Sequence, residues 1–135
     1  MIQLSSPNVG YFEQDVFEAF AFSQIAKAGP LTFFSGVAPL KGDLAQLTLV
    51  GNSQAEQVQF VLEVIEKLLI HEGLSKTDIA TWTIYTTDIQ DFATHSAPLL
   101  AAWLGDHRPT SSTIEVSGLI HPEQKIEITV TTASF

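Results

Sequence analysis

Apolar residues recur along this chain with two periods, and the change from one to the other marks out its elements. The longest regular stretch follows Ser53, where Val58, Val61, Leu62, Ile65, Leu68 and Leu69 fall at helical spacing as one stripe. Ser53 and Glu56 form a capping box at its start, and Gly73 supplies the stop. A second helix is predicted from Ile89, Phe92, Ala93, Leu99, Leu100, Trp103 and Leu104, capped by Asp88 and ended by Gly105. Pro98 inside it predicts a kink, or a restart with Ser96 as a new cap.

Elsewhere the period is two. KIEITVTT, from Lys125, sends Ile126, Ile128 and Val130 one way and Glu127, Thr129 and Thr131 the other. TWTIYTTD, from Thr81, divides Trp82, Ile84 and Thr86 from Thr81, Thr83, Tyr85 and Thr87. STIEV is a further predicted strand, as are VFEAFAF over Val16 to Phe22 and LTFFSG from Leu31, with KAGP turning between them. LTLV over Leu47 to Val50 reads as a short strand after a Gly42-Asp43 turn. The order of elements predicts one α+β domain over residues 1–135, with both helices on one face of a mixed sheet. The polar second face is then bare to water or covered by another copy of the chain, and the copy is the expected cover.

Composition narrows the function. The chain has 135 residues, 45% of them apolar, enough for one core. Fifteen acidic against six basic residues give a net charge of −9, which opposes nucleic acid and anionic membranes as partners. Without cysteine there is no disulfide, thiol nucleophile or thiolate metal site. The N-terminus lacks a signal-peptide pattern and no apolar run approaches the roughly 18 residues of a membrane helix, so a cytoplasmic location is expected. His71-Glu72-Gly73 begins like a zinc-protease motif, but Ser75 stands where the second histidine belongs. His71, His95, His107 and His121 match no metal spacing, and glycine-rich nucleotide loops and GxSxG are absent. No metal or cofactor is expected.

Several motifs nevertheless fall in a telling order: FSG at Phe34 to Gly36, then APL and GD, the capped helix, TIYTTDIQDFA, HRP, IEV and IEI. Together, over roughly Phe22 to Val130, they resemble the reactive-intermediate deaminase family (Rid, YjgF-type, endoribonuclease L-PSP-like). The resemblance implies a chorismate-mutase-like fold assembled as a homotrimer, with sheets facing a central barrel and a small-molecule cleft between each pair of neighbours. It also implies cofactor-free hydrolysis of 2-imino or 2-enamino acids to keto acids and ammonia. In that family pattern an arginine in P-x-R-[ST] grips the substrate carboxylate, an SG segment adds backbone contacts, and a glutamate on the last strand orients water.

Carried over by position, the catalytic candidate is Glu127, and the ligand-binding candidates are Phe22, Ser35, Gly36, Ser96, Ser111, Ser112 and Thr113. Three of these depart from the pattern. Ser111 replaces the gripping arginine, Phe22 falls where many relatives carry a tyrosine, and Ser96 replaces a frequent asparagine. Arg108 is no substitute, because relatives often carry a basic residue there as well. A guanidinium gives a carboxylate two charge-assisted bonds of about 1.5 to 3 kcal/mol each, whereas a hydroxyl gives one of about 1 kcal/mol. The deficit, about 2 kcal/mol or more, is ~thirtyfold in affinity. Ordinary 2-imino acids should therefore be poor substrates, and a cleft walled by Phe22, Phe34 and hydroxyls should prefer a neutral or cationic molecule.

The residues also admit plainer roles. Glu127 is a water holder or a strand glutamate paired with a neighbouring subunit, and Ser111, Ser112 and Thr113 bind ligand or simply begin a strand. Glu115 reads as a cap or an interface bridge, His121 as a surface loop residue within reach of the cleft, and Phe33, Phe60, Phe92, Trp82 and Trp103 as core. Two functions follow: a deaminase-like hydrolase, which retained Glu127 favours, and a non-catalytic metabolite-binding or regulatory trimer, which the lost arginine and phenol favour. A ribonuclease role is opposed by the charge.

Overall fold

The computed structural model describes residues Met1–Phe135. In chain order the elements are β1 (Gln3–Ser5), α1 (Gln14–Ala19), β2 (Ile25–Ala28), β3 (Leu31–Phe34), β4 (Leu40–Asp43), β5 (Gln46–Leu49), α2 (Gln54–His71), β6 (Ile79–Thr86), α3 (Ile89–Asp91), α4 (Ala97–Leu104), β7 (Thr110–Glu115) and β8 (Ile126–Ala133). Six strands form one mixed sheet in the order β1-β2-β3-β8-β6-β7, in which only β6 and β7 run parallel; β4 and β5 form a separate hairpin. The fold is the expected α+β class.

α2 forms as its stripe dictates. Val58, Val61, Leu62, Ile65, Leu68 and Leu69 are all buried, and both halves of the Ser53–Glu56 capping box are made. Its end is a Schellman turn: Gly73, at φ 70°, donates to Ile70, and Leu74 donates to Leu69. Alternation governs β8 and β6 equally well. Ile126, Ile128, Val130, Trp82 and Ile84 turn into the core under α2 and α4, and Glu127, Thr129, Thr131, Thr83 and Tyr85 stand half-buried on the opposite face. Register places Leu4, Ala26, Phe33 and Thr131 in one row of that open face, so Phe33, expected in the core, is 44% exposed.

Three local expectations are corrected. The predicted strand Val16 to Phe22 is instead the end of helix α1, through Ala19, and the turn that follows it, which makes a third helix beside the two expected. Its apolar run alternates poorly: neighbours Val16 and Phe17 are both buried, a helical pattern, and Phe17 packs edge-on against Phe12 and tilted against Phe22. The real partner of β3 is β2, just before the KAGP turn. The hairpin turn is Leu44-Ala45 rather than Gly42-Asp43, because Asp43 pairs with Gln46 and its carboxylate accepts the Gln46 N–H at 2.9 Å. At Pro98 the helix restarts after one π-helical stretch, Phe92–Ser96, and Ser96 caps nothing: its hydroxyl donates 2.7 Å to Gln54 Oε1.

Candidate functional site

Glu127 begins the exposed side of β8, opposite Tyr85 of β6. Around it Tyr11, Phe12, Val16, Phe20, Phe22, Ser35, Gly36, Ala38, Leu40, Leu47 and Ile120 wall a cavity of about 230 Å³. The segment before α1, α1 itself and the β4–β5 hairpin supply its apolar walls, while the turn after β3 supplies Ser35 and Gly36. Gly36 is required by close approach. A Cβ there would stand 2.5 Å from Glu127 Oε2 and 2.9 Å from its Cδ, so only the bare backbone lets the carboxyl lie against it. Ser35 is oriented by a 2.6 Å bond from its hydroxyl to the Ser23 carbonyl, and Gln24 Nε2 holds the Ser35 carbonyl at 3.0 Å.

The electrostatics are those of a lone acid in an apolar recess. Burial raises the Glu127 pKa above the ordinary carboxylate value, and a 3.4 Å hydrogen bond from Gln124 Nε2 opposes the rise only in part. No lysine, arginine or histidine lines the cavity. Gln124 is itself buried, and its amide also donates to the Ile126 carbonyl at 3.0 Å. The preceding loop is tied to α2 by buried Gln57, which donates to the Gly51 and Glu123 carbonyls and accepts the Lys125 N–H at 2.8 Å.

The remaining sequence candidates lie elsewhere in the chain. Alternation along β7 turns Ser111 and Thr113 toward the helices and Ser112 to the open face beside Thr83. Ser111 Oγ accepts the Trp82 indole N–H at 3.1 Å, and Ser111 and Thr113 line a second recess with Leu100, Leu104 and Pro109. Ser96 is fully buried on Gln54. Phe34, 4% exposed, faces the core and does not wall the Glu127 cavity. Arg108 donates to the Gly105 and His107 carbonyls, closing the end of α4, and Glu115 accepts the Ile89 N–H at 2.9 Å, capping α3. His121 accepts the Glu123 N–H inside its own loop. Within one chain, then, Phe22, Ser35, Gly36 and Glu127 come together, and Ser96, Ser111, Ser112 and Thr113 stand apart from them. Tyr11, Phe12 and Phe20 were not singled out in the sequence; nothing there shows that α1 folds over the strand end.

Comparison with known proteins decides the family. The family model described as Endoribonuclease L-PSP matches residues 13–134. The chain belongs to the Rid/YjgF family. Among curated relatives of this Rid protein, a RutC family protein of Pyrococcus horikoshii is 32% identical over 98 residues, 73% of this chain and 75% of the relative. A RutC family protein of Haemophilus influenzae is 31% identical over 121 residues, covering 87% and 94%. Among solved structures, a member of the YjgF/YER057c/UK114 family from Mycobacterium tuberculosis superposes with a TM-score of 0.79 at 25% identity, covering 98% of this chain and 99% of that one. A Rid family protein from Yersinia pestis gives the same TM-score at 23% identity, covering 98% and 99%; at that identity the likeness speaks for the fold. No helix is long and apolar enough to cross a membrane.

Proposed function

We propose that this Rid protein hydrolyses the C=N bond of an imine, or of the imine tautomer of an enamine, that lacks a neighbouring carboxylate, without metal or cofactor, in clefts formed between copies of the chain. The observation that carries the proposal is the seat of Glu127: a carboxyl pressed against Gly36 in an apolar recess, its pKa raised, with no fixed cation beside it. A carboxyl poised nearer neutrality serves as acid and base in turn. Protonated Glu127 gives its proton to the imine nitrogen; as carboxylate it takes one from the water that adds to the imine carbon. The carbinolamine then receives that proton on nitrogen and collapses to a carbonyl compound and an amine or ammonia. Water is the only co-reactant, and Glu127 ends as it began once the product hydroxyl proton returns to it.

A homotrimer supports this chemistry by enclosing the cavity. The open sheet face exposes Leu4, Leu31, Phe33 and Ile114 among threonines, a surface suited to burial against another copy. Assembly would also bring the Ser111–Thr113 edge of one protomer toward the Glu127 cavity of its neighbour. The second reading, a metabolite-binding trimer without turnover, is favoured by Ser111, a neutral residue whose oxygen already accepts the Trp82 indole N–H, and by Phe22, which offers no proton. The test follows carbonyl release from a carboxylate-free imine and from the imine of pyruvate. Hydrolysis of the first that Glu127→Gln abolishes supports the proposal, ligand binding without turnover supports the second reading, and efficient hydrolysis of the pyruvate imine contradicts the assigned substrate class.

A further inference from the structure

The Glu127 cavity contains a further polar group, beside Ser35, that no family motif singled out. Tyr11, just before α1, is 3% exposed, and its ring stacks on Phe12 with centroids 4.0 Å apart. Its oxygen accepts the backbone N–H of Ala38 at 2.8 Å. A phenol both accepts and donates one hydrogen bond. Ala38 uses the accepting side, and no protein acceptor takes the proton. A donor that faces the cavity without a protein acceptor is free to serve an acceptor that enters it. Burial also pushes the Tyr11 pKa well above the ordinary phenol value, and the Glu127 charge adds to the rise, so the hydroxyl keeps its proton throughout the working range of the protein.

The other walls define what the acceptor is attached to. Phe12, Val16, Phe20, Phe22, Leu47 and Ile120 offer aromatic and branched aliphatic surface, and nothing in the cavity neutralises an anion. We infer that the cavity binds an uncharged molecule with a carbonyl or imine acceptor at one end and an aromatic or branched aliphatic arm, and that the Tyr11 hydroxyl fixes the acceptor beside Glu127. The inference rests on the proposed cleft and adds its ligand class and its donor. Tyr11 replaces nothing in the motif pattern; it reaches the cavity from a different element than Phe22, whose ring packs on Phe17 without a hydroxyl to offer.

Benzylacetone, an uncharged ketone with a phenyl arm, is the probe, with hydrocinnamate and phenylpropylamine as its anionic and cationic counterparts. The chain has two tyrosines, Tyr11 and Tyr85, so labelling the tyrosine carbon that bears the hydroxyl gives two signals, which Tyr85→Phe assigns. In the unmodified protein benzylacetone is expected to move the Tyr11 signal and leave that of Tyr85 in place. Tyr11→Phe is expected to weaken benzylacetone by about three- to tenfold, the worth of one hydrogen bond, and to leave the two charged probes as weak as before. An unmoved Tyr11 signal, tighter binding of either charged probe, or undiminished ketone affinity in a folded Tyr11→Phe protein overturns the inference, as does failure of benzylacetone to bind. Because these readouts require no turnover, an absence of imine hydrolysis alongside a shifted Tyr11 signal would count against the proposed chemistry alone.

Discussion

At the scale of single residues, Glu127, Gly36 and Ser111 each give a separate test. Glu127 holds its proton more firmly in the folded chain than in the unfolded one, because burial disfavours its anion. Below about pH 4 both states are protonated and the group is neutral to stability. As pH rises past that value the unfolded chain ionises first, so the folded state loses relative stability until the folded pKa is passed. Glu127→Gln should therefore gain thermal stability relative to the native protein between about pH 4 and neutrality, and a constant difference in melting temperature across that range would contradict the assignment. Gly36→Ala tests the seat itself. The atom its Cβ meets first is the mobile end of Glu127, so the chain should stay folded while the carboxyl is displaced and cleft activity falls at least tenfold; an unchanged rate would mean that the contact is dispensable. Ser111 has become a partner of Trp82, whose indole N–H is otherwise without an acceptor. Ser111→Arg should cost about 1 kcal/mol of stability, and Ser111→Thr much less, by denaturant unfolding.

Elements show which parts of this organisation can be read from sequence. α2, β6 and β8 are long enough for their period to be unambiguous, and each forms where the pattern places it. α1 is not: six residues of mixed apolar and acidic character satisfy neither template well, and packing among Phe12, Phe17 and Phe22 selects the helix. That single difference brings Tyr11 and Phe12 into the core beside Glu127. Of the eight residues that the family motifs group together, Phe22, Ser35, Gly36 and Glu127 line one cavity, Glu127 from β8 and the other three from the segments that flank β2 and β3. The motifs gave no sign that Ser111 would answer Trp82 or Ser96 would answer Gln54, since each of those partners is distant in sequence. Buried glutamines were equally silent, for a Gln on a helix is ordinarily a surface residue. Gln57 nonetheless binds three backbone groups and holds the loop ahead of β8. Gln57→Leu should destabilise the chain by on the order of 3 kcal/mol and speed hydrogen exchange at Lys125; unchanged exchange there would show that the loop holds itself.

For the whole molecule, the sheet has one face closed by α2 and α4 and another on which Leu4, Leu31, Phe33 and Ile114 meet solvent between threonines. Burying that face against two further copies would remove exposed apolar surface and wall off the cavity from bulk water, which strengthens every polar contact inside it. The net charge of −9 and the absence of a cavity cation set the selectivity of such an assembly against anions. The most direct measurement is a paired one on the same preparation: the rate of carbonyl release from a carboxylate-free aryl-alkyl imine and from the imine of pyruvate, with Glu127→Gln as control. A site without a fixed cation should hydrolyse the uncharged imine faster, and Glu127→Gln should lose that rate. Preference for the pyruvate imine, or a rate indifferent to Glu127, would contradict the proposed function.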